Sequence, residues 1–126
     1  KLFIYDIIKK INNNSSSIDM LGDGKQIRDY VYIDDVVDGI LLVTEKGKAG
    51  EDYNLCSGKP IELVKIISKL SKLLNNKDIK IKTTGKSYPG DIKKWYGDNS
   101  KIRSLGFKTK VSLELGLIKT IKAINE

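Results

Sequence analysis

One arginine set among tyrosines is the most chemically suggestive feature of this sequence. Arg28 stands in Gln26-Ile27-Arg28-Asp29-Tyr30-Val31-Tyr32-Ile33, whose alternating character predicts a strand. In that register Ile27, Val31 and Ile33 share one face, and Arg28, Tyr30 and Tyr32 share the other. A guanidinium can grip a phosphate through two parallel N–H bonds, and neighbouring rings can shield that pair from water. The competing use is an ordinary surface strand whose arginine pairs with Asp29 or Asp34. Asp91 is the second candidate, because it follows Pro89-Gly90 inside a long loop. Its carboxylate either accepts hydrogen bonds from sugar or ribose hydroxyls or simply stabilises the turn.

Other chemistries are closed off. The sequence has no histidine, which removes Ser-His and Cys-His nucleophile pairs, imidazole acid–base work and imidazole metal ligands. Cys56 therefore reads as a small buried filler, with no base to activate it. Asp34, Asp35 and Asp38 open a helix, where free amides and the dipole favour carboxylates, so capping is their expected duty. Trp95 beside Tyr96 serves either as a core anchor or as a surface on which a base stacks. Gly22-Asp23-Gly24 is a turn, since Gly-x-Gly-x-x-Gly would need glycine where Ile27 stands. Gly85-Lys86-Ser87 carries only the tail of a phosphate-loop motif.

The elements that must position these groups follow from local pattern. Ile4, Ile7, Ile8 and Ile11 predict a helix over residues 2–12, and the Asn/Ser run at 12–17 predicts a polar loop. Ile18 to Leu21 is a short strand candidate. Asp34 or Asp35 is expected to cap a helix running to about Lys46, with Val36, Val37, Ile40 and Leu41 facing inward. Glu51–Leu55 reads as a strand and 61–74 as the clearest helix, with Pro60 just before it. Residues 79–83 alternate as a strand, followed by a loop from Thr84 to Gly97. Asp98 caps a short helix ending at Gly106, and Ser112 starts a last one with Leu117, Ile118, Ile121 and Ile124 inward. This order predicts an α/β fold with several helices packed on short strands.

The 126 residues suit a single domain, with 40% hydrophobic and 31% charged residues. The net charge of +7 suggests an anionic partner. Lysines dominate it, arginine occurs only at positions 28 and 103, and aromatics are few, so a solvated lysine face is expected and not a nucleic-acid surface. No run of apolar residues approaches a membrane span. One cysteine and no visible signal peptide point to the cytoplasm. The chain opens on Lys1 although Met20 exists, so a piece of a longer protein is expected.

The order of motifs carries more than any one of them. Leu21-Gly22-Asp23-Gly24-Lys25-Gln26-Ile27-Arg28-Asp29-Tyr30-Val31-Tyr32-Ile33-Asp34-Asp35-Val36-Val37 closely resembles a stretch of the extended short-chain dehydrogenase/reductases that act as nucleotide-sugar epimerases and dehydratases. Glu45 to Lys59, Pro89-Gly90-Asp91 and Gly97 to Phe107 are similar to later landmarks of that family, in the same order. The phrasing Glu45-Lys46-Gly47-Lys48 and Gly97-Asp98-Asn99-Ser100-Lys101 leans toward its GDP-mannose branch without separating it from the UDP- and dTDP-sugar branches.

The resemblance implies a split architecture. An N-terminal Rossmann domain would bind NAD(P) and carry the catalytic Tyr-x-x-x-Lys pair, and residues 1–126 would be the substrate-binding domain without it. No catalytic residue, cofactor or metal is then expected on this chain, and the chain alone is expected to be inactive. Arg28 matches the family arginine that contacts the diphosphate, and Asp19, Met20 and Leu21 match the short strand facing the nucleotide base. Asp91 matches an acid near the ribose or second phosphate contact. Where the family usually places arginine before Pro-Gly-Asp, this sequence has Tyr88, so a second diphosphate contact is missing unless Lys86 or another cation substitutes. Tyr5 and Lys9 fit Tyr-x-x-x-Lys by coincidence, too close to Arg28 for the intervening family elements. The expected partner is a nucleotide diphosphate-sugar, with homodimerisation through an uncovered apolar face. The reading from another class is a non-catalytic basic module that recruits an anionic partner.

Overall fold

The computed structural model describes residues 2–76, 79–86 and 89–126. Among them the elements run α1 (Phe3–Asn12), β1 (Ser17–Met20), β2 (Ile27–Arg28), α2 (Ile33–Lys46), β3 (Ile61–Glu62), α3 (Leu63–Leu73), β4 (Lys80–Thr83), β5 (Lys94–Trp95), α4 (Ser100–Ser104) and α5 (Leu113–Asn125). The fold is α/β, with helices packed on short strands as the sequence predicts.

The core grows from helical spacing. Ile7, Ile8 and Ile11 of α1 meet Ile66, Ile67 and Leu70 of α3, with Ile18 and Met20 of β1 and Leu117 of α5 closing the cluster. Ile8, Ile18, Ile66, Ile67 and Leu70 have no exposed surface, and each such side chain contributes about 1.5–3 kcal/mol by leaving water. Asn14, at φ 54, turns the chain after α1, a conformation asparagine tolerates well. The Ser112 hydroxyl accepts from the Leu115 amide and starts α5 as expected.

Two small sheets flank this core. β1 and β4 pair in parallel from Ser17↔Lys80 to Met20↔Thr83. In β4 only Ile81 is half-buried, while Lys80, Lys82 and Thr83 are exposed, so these lysines are a solvated face. The second sheet has the order β3-β2-β5, β2 lying antiparallel to β3 and parallel to β5.

Several expectations need correction. The strand expected over 26–33 is only Ile27–Arg28. Beyond it the Asp29 carboxylate accepts from the amides of Ser57 and Gly58, both at 2.9 Å, and draws the chain out of the ladder. Arg28, Tyr30 and Tyr32 consequently share no face: Tyr30 packs on the main core and Tyr32 against Gly116 of α5. Residues 51–55 form no strand. The helix expected over 61–74 begins at Leu63, because Ile61 and Glu62 pair with β2. The long loop contains β5, and Ile118, expected inward, is 46% exposed.

The largest correction concerns α2. Tyr32 is its N-cap residue and no side chain caps it. Asp35 is instead 1% exposed, and its two oxygens accept from the amides of Lys110 (2.9 Å) and Val111 (3.0 Å). Gly39 lies on the same buried face, where an added Cβ would meet Leu55 Cγ at 3.0 Å and Phe107 Cε2 at 3.2 Å. Three of the four residues expected to face inward therefore face out, Val37, Ile40 and Leu41 being 48%, 56% and 62% exposed while Val36 is half-buried; Ile33, 60% exposed, extends this outward stripe. Spacing defines a stripe but not what covers it.

Asp35 is thus a tie between α2 and the approach to α5. Asp35→Ala strands two amides and should lower stability by about 2–4 kcal/mol, read as a lower midpoint in urea unfolding. An unchanged midpoint would show the tie to be idle.

Candidate functional site

A cleft of about 360 Å³ opens where α1, the end of β1, β2 and the Asp91 loop meet. Phe3, Ile7, Met20, Leu21 and Leu63 supply its apolar wall, and Asp6, Lys10, Asp19, Gln26, Arg28 and Asp91 its polar groups. The structure therefore brings Asp19, Met20, Leu21, Arg28 and Asp91 around one concavity. Tyr88, the remaining sequence candidate, lies outside the described residues.

The Arg28 guanidinium is fixed from three sides. Its Nη1 donates to the carbonyls of Ile27 and Ile92, both at 2.8 Å, and its Nη2 donates to Asp91 Oδ1 at 3.3 Å. Both side chains of this ion pair are 23% exposed, so the pair is partly sheltered from water and its attraction is less screened than at an open surface. The partner of Arg28 is Asp91, and neither Asp29 nor Asp34. Both of those are engaged elsewhere, Asp29 by the 57–58 amides and Asp34 by Lys119 at 2.8 Å.

Sequence reasoning missed six residues of the cleft, the apolar Phe3, Ile7 and Leu63 and the polar Asp6, Lys10 and Gln26. Gln26 is 5% exposed and donates through Nε2 to the Leu21 carbonyl (3.0 Å) and to Asp91 Oδ2 (3.3 Å). Its depth has no local signal, because its side-chain partner Asp91 is 65 residues away in sequence. Lys10 brings a second cation to the cleft from the last turn of α1. It sits where an amphipathic helix shows only an ordinary polar position.

Arg28 also lines a second, shallower hollow of about 310 Å³ with Asp29, Asn54, Leu55, Cys56, Trp95, Tyr96 and Gly97. Trp95 is no core anchor: it is 65% exposed, and the Arg28 guanidinium carbon lies 5.9 Å from its ring centroid. Trp95 is the ring over which the Arg28 guanidinium lies. Tyr5 and Lys9 form an outward pair on α1, the ammonium 5.6 Å from the ring centroid. Cys56 is 8% exposed, and burial, then the Asp29 carboxylate, push its thiol above its ordinary range against opposing hydrogen bonds from the Gly58 and Gly97 amides. Burial likewise raises the Tyr30 hydroxyl, with Arg28 pulling the other way.

Residues 2–56 match the NAD dependent epimerase/dehydratase family. The chain is 40% identical over 104 residues to an uncharacterized protein of Methanocaldococcus jannaschii, covering 79% of this chain and 30% of that protein. It is 38% identical over 112 residues to a dTDP-glucose 4,6-dehydratase of Haemophilus influenzae, covering 80% of this chain and 33% of the relative. The crystal structure of a UDP-glucuronic acid 4-epimerase from Bacillus cereus, in complex with UDP-glucuronic acid and NAD, superposes with a TM-score of 0.87. That match has 30% identity and covers 99% of this chain and 40% of that one. The chain belongs to the NAD dependent epimerase/dehydratase family. It spans about a third of the length of the curated relatives it matches.

The raised Cys56 thiol gives a signed expectation. Folding favours the protonated form, so this group leaves stability level below the free-thiol range and erodes it as pH climbs through that range. At about pH 8 a thiol-reactive chromophore should label native Cys56 at least ~10-fold more slowly than the unfolded chain. Equal rates would contradict the burial.

Proposed function

We propose that this chain is the nucleotide diphosphate-sugar-binding part of an NAD(P)-dependent sugar epimerase or dehydratase of the cytoplasm. The observation that carries the reading is the Arg28 guanidinium, fixed in the wall of a cleft that also holds Asp19–Leu21, Asp91 and Lys10. Arg28 neutralises diphosphate charge, each charge-assisted contact contributing about 1.5–3 kcal/mol. Lys10 supplies the second cation that Tyr88 cannot, and the apolar wall from Phe3 to Leu63 receives the flat base. Asp91 orients the guanidinium and offers acceptors to sugar hydroxyls.

In this reading NAD(P) is bound outside this chain, which the geometry of its Gly-x-Gly turn supports. Gly22 and Gly24, at φ 74 and 75, shape a turn that leads into β2 and not into a helix N-terminus. No reaction step is assigned to this chain, and in this reading it is inactive alone, the cofactor and catalytic pair being held by a separate domain. The outward stripe of α2 supports that division, since four large apolar side chains at helical spacing await a cover. Left uncovered, the stripe pairs with a second copy.

Titration of the chain with UDP-glucose and dTDP-glucose, followed by calorimetry and backbone amide shifts, tests the reading. Shifts should centre on Arg28 and residues 19–21, and Arg28→Ala should weaken affinity at least ~10-fold. Shifts spread over the lysine-rich helices with steep salt dependence would instead favour a basic recruitment module. Sedimentation should show a concentration-dependent dimer that Ile40→Lys with Leu41→Lys abolishes, with stability changed by less than about 0.5 kcal/mol. A monomer at every concentration would count against self-association through the stripe.

A further inference from the structure

Gln26 is more deeply buried than any other polar side chain lining the cleft. Its Nε2 is shared between the two sides of that cleft, donating to the Leu21 carbonyl at the end of β1 and to Asp91 Oδ2. Its Oε1, by contrast, is buried with no hydrogen-bond partner among the described residues. An orphaned buried carbonyl carries a desolvation cost that a methionine of similar length would not. The Asp91 carboxylate does not need it for solvation, since that side chain is 23% exposed and open to water. Stability alone therefore gives little reason for glutamine here; the orientation of its N–H groups does.

We propose that Gln26 is a positioning residue for nucleotide-sugar binding. It ties Leu21, on the base side of the cleft, to Asp91, and through Asp91 it sets the direction of the Arg28 guanidinium. This rests on the binding role proposed above for Arg28. The chain of contacts is continuous: Leu21 carbonyl to Gln26 amide, Gln26 amide to Asp91 Oδ2, Asp91 Oδ1 to Arg28 Nη2. The backbone keeps Gln26 itself in place, because its carbonyl accepts from the Leu63 amide at 2.9 Å where α3 begins. Asp91 is thus held by a donor on each oxygen and is not free to swing across the arginine's outer face. Glutamate at this position would point a charge at a carbonyl and a carboxylate. Methionine would fill the space and donate nothing.

The test uses this chain with UDP-glucose as the probe, comparing wild type, Gln26→Met, Gln26→Glu and Arg28→Ala. Gln26→Met should leave the unfolding midpoint unchanged or raised, weaken UDP-glucose at least ~5-fold, and move the Arg28 side-chain N–H resonance in the free protein. Gln26→Glu should bind poorly near pH 8 and recover toward wild type near pH 5, as the carboxyl gains a proton it can donate. Gln26→Met that binds like wild type overturns the proposal, because the amide is then dispensable, as does Gln26→Met that cannot fold, because the side chain is then structural. If wild type fails to bind, or Arg28→Ala binds as tightly as wild type, the function proposed for the cleft falls and this inference falls with it. Retained loss in Arg28→Ala alongside normal binding in Gln26→Met sinks the inference alone.

Discussion

Two carboxylates, each holding a pair of backbone amides, are the constraint on which the rest of this structure depends. Asp29 accepts from Ser57 and Gly58, and Asp35 from Lys110 and Val111. Both sit between the two-residue strand that carries Arg28 and the first turn of α2. The segment is too short to be held by ladder hydrogen bonds alone. It is pinned instead to loops that lie 28 and 75 or more residues further along the chain. Charge-assisted bonds to amides are stronger and more directional than neutral ones, so Arg28 inherits a defined position from its acidic neighbours. The carboxylates that look most like chemistry in the sequence are the framework, and the chemistry is left to the arginine.

Charge is distributed accordingly. Lysines carry most of the positive charge behind the net +7. Lys65, Lys101, Lys110, Lys119 and Lys122 each meet a carboxylate at the surface, where such pairs contribute little to stability. Lys110 and Lys119 are pushed to higher pKa by hydrogen bonds from their ammoniums to Asp38 and Asp34. Ion pairing at the cleft is different in kind. Arg28 and Asp91 are both partly sheltered, and Lys10 brings a second positive group to a lining that also holds the carboxylates of Asp6 and Asp19. A cleft with an apolar lining, two cations and three carboxylates suits a molecule that combines a flat apolar part, an anionic part and hydroxyl donors.

Much of the fold was legible because it is local. The isoleucines of α1, the alternation in β4 and the serine that starts α5 each state their element within a few residues. Arg28 and Asp91 were singled out by residue type, loop position and resemblance together, and they do meet. What escaped was set by distant neighbours. Alternation continues from Gln26 to Ile33, yet the strand stops at Arg28 because Asp29 finds amides far along the chain. The stripe of α2 was placed inward because nothing in its spacing says which side another element occupies. Gln26 gave no sign at all, since two of its partners, Leu63 and Asp91, stand far along the chain, the latter 65 residues away.

The seam at Gly39 has a mechanical consequence. With no side chain there, α2 comes so close to Leu55 and Phe107 that even a methyl group would crowd both. Close-packed contacts of this sort transmit displacement and do not absorb it. The opposite face of the same helix is the bare apolar stripe. A body that presses on that stripe therefore loads a stiff strut, and the push arrives at Leu55, two residues before the Ser57 and Gly58 amides that grip Asp29 beside the arginine.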